Sequence, residues 1–382
     1  MGKAILITGS AGSYGSALVK VGREWGYDVY HTDIREPDQP DKKFIKADIS
    51  DKESIKPLGE LELDAVIHCA GVIDITATEL HKKVHLEGTE NLIDLLGDKV
   101  KVWVTVSSAA IHGGTEEDIA ITEDKPRTLE DSYTRTKAEE YDLTLEKLPN
   151  KSIIIEPALI YDEKNRYMFK EIVEIAAMGV LFVLVERGSF KLNMVHPLDI
   201  APATLLLMER GEFGQSYIVC DDYPVTMRDL ADLTAQVTHG RFYNPKRSIG
   251  KDFLKNMMRQ MDRLMENMPS LEGMEPMGTM MEEMGIELGG FEMPMDPSYM
   301  MTHHRFSNKK AKEITKKNAK QWRILEKTTN YFPNGWYPEI NPFFEIPKVI
   351  KFWTEQNPPV IKKKYELPDM LEFFYDYISG MF

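Results

Sequence analysis

Cysteine, positive charge and long apolar runs are all scarce in this sequence. Its 382 residues include two cysteines, Cys69 and Cys220, whose spacing supports neither a disulfide framework nor a zinc site. Forty-seven Lys and Arg residues stand against 61 Asp and Glu residues, a formal net charge of −14. This excess of negative charge opposes binding to a phosphate backbone. We therefore expect no metal and no nucleic-acid partner.

The chain also lacks a cleavable-signal pattern and any apolar stretch long enough to span a bilayer. Its first apolar run, residues 4–7, is short and follows Met1 almost at once. We expect a cytoplasmic protein. Weaker attachment to a membrane surface stays open because the C-terminal third is rich in aromatic residues.

Up to about residue 160, short β-rich runs alternate with longer amphipathic segments. Strands are predicted at 4–8, 28–32, 65–69, 100–106 and 152–155, and helices at 18–25, 84–96 and 134–148. This alternation is typical of a parallel sheet with helices on both faces. Right-handed crossovers then predict an α/β protein with a doubly wound sheet.

The pattern changes after residue 160 and again after residue 245. A predicted helix at 195–208 and strand at 215–219 return to the sheet, whereas 14 of the 22 methionines lie between Met257 and Met301. Apolar residues within 253–268 have the spacing of one helix face. We predict a core domain at 1–160, a mixed region lining a cleft at 161–245, and a Met-rich, aromatic C-terminal lobe at 246–382.

A glycine-rich turn follows the first predicted strand and opens the first helix. Gly9, Gly12 and Gly15 allow a tight turn and a close backbone approach, and Ser13 and Tyr14 lie between the last two glycines. A helix N-terminus offers free N–H groups to a pyrophosphate. An ordinary glycine turn is the alternative, but the strand-turn-helix context favours a dinucleotide.

Asp33 falls at the end of the second predicted strand. A carboxylate there accepts hydrogen bonds from both hydroxyls of an adenosine ribose and repels a 2′-phosphate. This position favours NAD. Arg35 is compatible with a 2′-phosphate, so NADP stays an alternative. A further alternative is that Asp33 contacts only solvent and binds no cofactor.

Tyr133 and Lys137 are four residues apart in a predicted helix, and therefore lie on one side of it. There an ammonium lowers the pKa of a phenol and reaches the nicotinamide ribose. With 16 tyrosines in the chain, such a pair also arises by chance, so the setting matters. Ser107 and Ser108 supply that setting because they end a predicted strand at the carboxyl edge of the sheet, where doubly wound folds bind ligands.

Together these motifs resemble the extended short-chain dehydrogenase/reductase family over residues 3–235. The segments 68–74, 86–92, 195–201 and 214–222 look most like its 3β-hydroxysteroid dehydrogenase branch, among the NAD-dependent epimerases and dehydratases. The resemblance implies a Rossmann-type sheet with a smaller C-terminal substrate lobe, an NAD-linked oxidoreductase activity, and a homodimer.

The resemblance also implies roles for single residues. Ser108, with Ser107 as its alternative, would hydrogen-bond the reacting oxygen, Tyr133 would be the general acid or base, and Lys137 would poise it. Further cofactor contacts are implied for Asp48 and Ile49 at the adenine, Ala70 and Gly71 at the adenine-side ribose, and Pro157, Tyr133 and Lys137 at the nicotinamide end.

Several positions depart from the family pattern. His85 replaces an asparagine, Glu156 replaces an arginine, and the usual Tyr-Gly turns become His112-Gly113 and Tyr161-Asp162. His85 could alter a water-linked proton path. Glu156 could change how the carboxamide side of the nicotinamide is supported. The alternative is that both are tolerated structural substitutions.

The methionines suit an adaptable apolar cleft, although a Met-rich core helix is an equal alternative. We expect a secondary alcohol or ketone on a bulky hydrophobic substrate, such as a 3β-hydroxysteroid or a long-chain β-hydroxy or keto compound. Two alternatives are a nucleotide-sugar epimerase and a non-catalytic cofactor-binding scaffold. Dehydration is disfavoured because Ala109 and Ala110, not an acidic pair, follow Ser108.

The aromatic tail with Lys362–Lys364 could contact a membrane surface.

Overall fold

The computed structural model describes residues 3–37, 39–74, 77–129, 131–164, 183–240, 247–250, 252, 259, 301–321, 323–325, 332 and 334–356. Three features of the sequence analysis lie outside these residues. They are the predicted helix face at 253–268, the Met257–Met301 segment and Lys362–Lys364; within these ranges only residues 259 and 301 are described.

The described residues form thirteen β-strands and eight α-helices. The strands are β1 (Ala4–Thr8), β2 (Asp28–Asp33), β3 (Phe44–Lys46), β4 (Ala65–His68), β5 (Val102–Val106), β6 (Ser152–Pro157), β7 (Leu159–Ile160), β8 (Val183–Val185), β9 (Lys191–Leu192), β10 (Met194–Val195), β11 (Gln215–Val219), β12 (Val225–Thr226) and β13 (Arg247–Ile249). The helices are α1 (Ser13–Glu24), α2 (Thr78–His81), α3 (Thr89–Leu96), α4 (Ser132–Lys147), α5 (Pro197–Arg210), α6 (Met227–His239), α7 (Lys309–Lys317) and α8 (Pro342–Gln356). Within the described ranges, no helix has the length and apolar character needed to cross a membrane.

Seven strands form one sheet in the order β11-β6-β5-β4-β1-β2-β3. Every neighbouring pair in it is parallel. The direction of winding reverses between β1 and β4, which opens a crevice at their carboxyl ends. The predicted doubly wound α/β fold is confirmed.

Alternating side chains of the central strands explain why helices cover both faces. Ile5 and Ile7 belong to the apolar core formed with α1 and α5, whereas Leu6 belongs to the core formed with α3. Successive residues of a strand point to opposite faces, and here both faces are apolar. The central strands are therefore buried on both sides, as parallel sheets require.

The described C-terminal residues pack directly onto this frame. Ile314 of α7 and Trp336 join the core shared with α1 and α5, and the Trp336 indole N–H donates to the Asp199 carbonyl at 3.0 Å. Residues 303–306 pair with the loop after β5, through bonds such as Ile121 N–H to the Arg305 carbonyl at 2.7 Å. The domain boundaries at 160 and 245 stay predictions.

Candidate active site

The glycine-rich turn brings backbone against backbone at the end of β1. Gly9 has a φ of +66°, and a Cβ on it would lie 2.8 Å from the Ala70 backbone, while a Cβ on Gly15 would collide with the Gly9 carbonyl. Gly12 stands at the N-cap of α1, where no side chain caps the helix. The buried Ser13 Oγ has no hydrogen-bond partner among the described residues. The N-terminus of α1 thus has no side-chain cap, and a buried, unpartnered hydroxyl lies in its first turn.

Tyr14 turns away from that crevice. Its ring is buried, and its hydroxyl hydrogen-bonds Thr204 Oγ1 on α5. Burial raises the pKa of this phenol well above its ordinary value. The Tyr14 side chain is therefore engaged within the protein, and the cofactor contact expected of this residue stays a prediction.

Asp33 lies at the carboxyl end of β2 and is only 9% exposed. Its Oδ2 accepts a hydrogen bond from Ala11 N–H at 2.9 Å, and its Oδ1 accepts one from Arg35 N–H at 2.9 Å. The Arg35 Nε lies 3.7 Å from the same carboxylate. Asp33 is therefore fixed beside the glycine turn, with a cation next to it.

The remaining predicted nucleotide contacts lie around the same crevice. The Asp48 carboxylate accepts hydrogen bonds from Ser50 N–H at 2.9 Å and Ser50 Oγ at 2.6 Å, and Ile49 packs against Gly88. Ala70 N–H donates to Thr8 Oγ1 at 3.1 Å. The side chains of Asp48 and Ile49 are thus engaged within the protein, and their roles at an adenine stay predictions.

The catalytic candidates converge where β5 ends. Ser108 follows β5, and its Oγ accepts a hydrogen bond from Ala110 N–H at 3.2 Å. Helix α4 starts with a capping box in which Thr134 N–H donates to Asp131 Oδ1 at 2.6 Å. Because this cap sets the start of the helix, Tyr133 and Lys137 lie on successive turns of α4, with Tyr133 close to Ser108 and Lys137 Nζ 3.0 Å from the Val106 carbonyl at the end of β5.

The electrostatic balance at Tyr133 has opposing contributions. Burial raises its pKa above the ordinary value, while the Lys137 ammonium and the Ser108 hydrogen bond lower it. Burial wins, and the phenol is protonated at neutral pH in the ligand-free protein. A Cβ on Gly71 would lie 3.2 Å from Lys137 Nζ, so Gly71 leaves the lysine room at the crevice.

No sequence pattern singled out Glu140, which lies fully buried behind Lys137. Its carboxylate is 2.7 Å from Lys137 Nζ and 3.3 Å from His68 Nε2. Burial alone would raise the pKa of Glu140, but Lys137 and the His68 hydrogen bond hold it at about 2. The only local signal was a glutamate three residues after the lysine, which is equally common on exposed helix faces.

His85, the first departure from the family pattern, lies in a π-helical turn, Lys82–Gly88, between α2 and α3. Its Nε2 accepts a hydrogen bond from Val72 N–H at 3.0 Å, and its Nδ1 lies 2.9 Å from Thr136 Oγ1. Burial, followed by the charge of Lys137, lowers the pKa of His85 to about 3. A neutral imidazole therefore ties the turn after β4 to α4, with its ring 5.9 Å from that of Tyr133.

His112 and Glu156, two other departures, contact each other. His112 Nε2 lies 2.8 Å from Glu156 Oε2, and its Nδ1 lies 2.9 Å from the Lys125 carbonyl oxygen. Burial lowers the pKa of His112, but the Glu156 carboxylate outweighs burial and the net shift is upward. With acceptors at both nitrogens, the ring is an imidazolium paired with a carboxylate, directly before Pro157 at the end of β6.

Other histidines have structural partners. His196 Nδ1 accepts a hydrogen bond from Leu198 N–H at 3.2 Å at the start of α5, and the His303 and His304 backbones bond to Thr115 and Lys191. Within the part of the chain that the structure describes, no three His, Cys, Asp or Glu residues are grouped to hold a metal ion.

Comparison with known proteins agrees with this geometry. Residues 5–220 match the model of the NAD dependent epimerase/dehydratase family. The chain is 21% identical over 257 residues to the decarboxylating sterol-4-alpha-carboxylate 3-dehydrogenase of Saccharomyces cerevisiae, covering 59% of this chain and 73% of that enzyme. It is 24% identical over 196 residues to the 4-hydroxy-2-methyl-3-oxo-4-farnesyl-3,4-dihydroquinoline-1-oxide ketoreductase of Stigmatella aurantiaca, covering 50% of this chain and 58% of that enzyme.

A solved structure shares the fold across nearly the whole chain. UDP-glucose 4-epimerase of Thermotoga maritima, solved with UDP-glucose, superposes with a TM-score of 0.63 at 17% identity, covering 92% of this chain and 99% of that one. At this identity the likeness concerns the fold alone.

Proposed function

Since the chain belongs to the NAD-dependent epimerase/dehydratase family, we propose that it interconverts a secondary alcohol and a ketone on a bulky hydrophobic molecule. The family places it among NAD(P)-dependent enzymes that act on CH–OH groups. One observation carries the proposal: Lys137 Nζ bonds the Val106 carbonyl at the end of β5 at 3.0 Å, and Tyr133, one helical turn earlier on α4, lies close to Ser108.

The residues around the crevice fit a dinucleotide. A side chain at Gly9 or Gly15 would collide with the protein backbone, so this tight turn requires glycine at both positions. The unpartnered Ser13 Oγ and the free N-terminus of α1 suit a pyrophosphate. Asp33 would accept the ribose hydroxyls, which favours NAD, and Arg35 beside it leaves NADP as the alternative.

Three side chains of this chain would handle the substrate oxygen. When bound, the nicotinamide would accept a hydride from the carbinol carbon or donate one to the carbonyl carbon. In the oxidation direction Tyr133 must first lose its own proton to solvent, and its phenolate then takes the hydroxyl proton, while the Ser108 hydroxyl donates a hydrogen bond to the same oxygen. Lys137 stabilises the phenolate by its charge. In the reduction direction Tyr133 returns the proton to the ketone oxygen.

Two relatives support a bulky apolar substrate. The yeast enzyme is named for a sterol carboxylate and the Stigmatella enzyme for a farnesylated quinoline. Both names describe large hydrophobic skeletons bearing an oxygen at the reacting position.

Reduction of NAD and of NADP, followed by the absorbance of the reduced nicotinamide, tests this proposal directly. The purified chain would be offered 3β-hydroxysteroids, long-chain β-hydroxy acids and UDP-glucose. We expect turnover of an apolar alcohol with NAD and its loss in Tyr133→Phe. Epimerisation of UDP-glucose, seen by product analysis, with no turnover of apolar alcohols would contradict the substrate class.

We also propose peripheral contact between α8 and an anionic membrane surface. Phe344 is 74% exposed, and Phe343 and Phe352 are exposed as well, while Lys348 and Lys351 lie on the solvent side of the same helix. Exposed aromatic rings flanked by lysines suit the interface of a bilayer. Flotation with anionic vesicles should fall in Phe344→Ala but not in Phe213→Ala, which removes an exposed ring elsewhere; equal flotation of both variants would refute the contact.

A further inference from the structure

Glu140 is a fully buried carboxylate on α4, three residues beyond Lys137. It faces three donors: Lys137 Nζ at 2.7 Å, Thr89 Oγ1 at 3.1 Å and His68 Nε2 at 3.3 Å. A buried carboxylate is tolerated only with such partners, because its desolvation costs several kcal/mol. The site of this charge is therefore defined by three different elements, α3, α4 and β4.

His68 extends these contacts to the glycine turn. Its Nδ1 lies 2.8 Å from Thr8 Oγ1, and that hydroxyl accepts hydrogen bonds from Cys69 N–H and Ala70 N–H at 3.1 Å each. Thr8 must then donate its own proton to Nδ1, which leaves Nε2 as the N–H, 2.9 Å from Thr89 Oγ1 and 3.3 Å from Glu140 Oε1. A continuous hydrogen-bonded path thus joins the end of β1 to Lys137.

This path restricts where the Lys137 protons point. An ammonium has three N–H groups, and two of them are directed to Glu140 at 2.7 Å and to the Val106 carbonyl at 3.0 Å. The third is left for the crevice, where Gly71 and Tyr133 lie. Among the described residues, Glu140 is the carboxylate bonded to Lys137, while the Val106 carbonyl holds the same ammonium independently.

We propose that Glu140 is a positioning residue of the active site: its carboxylate, fixed by His68 and Thr89, pairs with the Lys137 ammonium and offsets part of the effect of that charge on Tyr133. The inference rests on the proposed role of Tyr133 and Lys137 as the proton-transfer pair. The negative charge of Glu140 raises the pKa of Tyr133. Removing that charge while keeping the shape should therefore make Tyr133 ionise at lower pH.

The test is the phenolate titration of Tyr133 in the protein without substrate. Near-ultraviolet absorbance is recorded against pH for the full chain and for Tyr133→Phe, and the difference isolates this tyrosine. The same pair is measured in a Glu140→Gln background. We expect the Tyr133 midpoint to fall by about one pH unit in Glu140→Gln. Glu139→Gln, which changes the exposed neighbouring glutamate, should leave it in place.

An unchanged or raised midpoint in folded Glu140→Gln would overturn the proposal and reduce Glu140 to a packing role. If that variant does not fold, Glu140→Asp keeps the buried charge but draws it back from Lys137, and it should lower the midpoint by a smaller amount; no shift would again overturn the proposal. Because no substrate enters the titration, its outcome is independent of whether the proposed substrate class is correct.

Discussion

On the α4 side of the reactive centre His85 lies beside the Lys137 ammonium, whereas on the β6 side His112 lies against the Glu156 carboxylate. Both rings are largely buried, yet the pKa of His85 falls to about 3 and that of His112 rises. Burial disfavours the charged form of either ring. Burial and the Lys137 charge act in the same direction at His85, whereas at His112 the Glu156 carboxylate outweighs burial and reverses the shift.

Removing the Lys137 ammonium from the α4 side should have the largest effect on the site. Lys137→Met should lower kcat by about 10³-fold, since the phenolate loses its charge partner, and should destabilise the fold by about 3 kcal/mol because Glu140 is left buried and unpaired. Steady-state kinetics and denaturant unfolding measure the two effects.

The double variant Lys137→Met/Glu140→Gln separates these effects. It leaves no unpaired charge in the core, so stability should largely return while turnover stays lost. Recovery of turnover in the double variant would contradict the role assigned to Lys137.

On the β6 side, Glu156→Gln takes away the carboxylate that keeps His112 cationic. We expect a loss of about 2–3 kcal/mol in unfolding free energy, because one partner of a buried pair is left alone, and a fall in kcat of less than about tenfold, since neither group touches the reacting oxygen in this account. A double-mutant cycle with His112→Gln measures the coupling. Additive losses would show that the two side chains do not interact.

The pH dependence of stability should distinguish the two sides further. The pKa of His112 is raised above its unfolded value of 6.5, so its stabilising contribution is complete below pH 6.5 and is lost as pH rises through the folded pKa. Unfolding free energies measured from neutral to alkaline pH should fall less steeply in His112→Gln. Parallel pH curves for the two proteins would exclude a protonated His112.

His85 should have the opposite effect, on the acid side of neutrality. Its pKa drops from 6.5 unfolded to about 3 folded, so its contribution is present above pH 6.5 and is lost as pH falls toward 3. His85→Asn, which restores the side chain usual in the family, should flatten the acid limb of the stability curve. His81→Asn, on the neighbouring stacked ring, is the matched comparison.

The fold was predictable because local patterns encode it, and so was the placement of Tyr133 and Lys137 at the end of β5; the catalytic roles of Ser108, Tyr133 and Lys137 stay predictions. Buried strands, the glycine turn and the Tyr133–Lys137 spacing each depend on neighbours in sequence. The pairings of His68 with Glu140 and of His112 with Glu156 were not predictable, because each joins residues brought together only by the stacking of β4, β5 and β6 with α4. Tyr14 marks the same limit: its motif located the turn but not the direction of its ring toward Thr204.

The central claim is that Tyr133 transfers the proton in a nicotinamide-dependent reaction. Its most direct test compares Tyr133→Phe with Tyr141→Phe, a second tyrosine on α4, for NADH binding by fluorescence and for turnover of an apolar secondary alcohol. The account predicts that both variants bind NADH like the parent and that only Tyr133→Phe loses turnover, by about 10²–10⁴-fold. Turnover by Tyr133→Phe at the parent rate would contradict it.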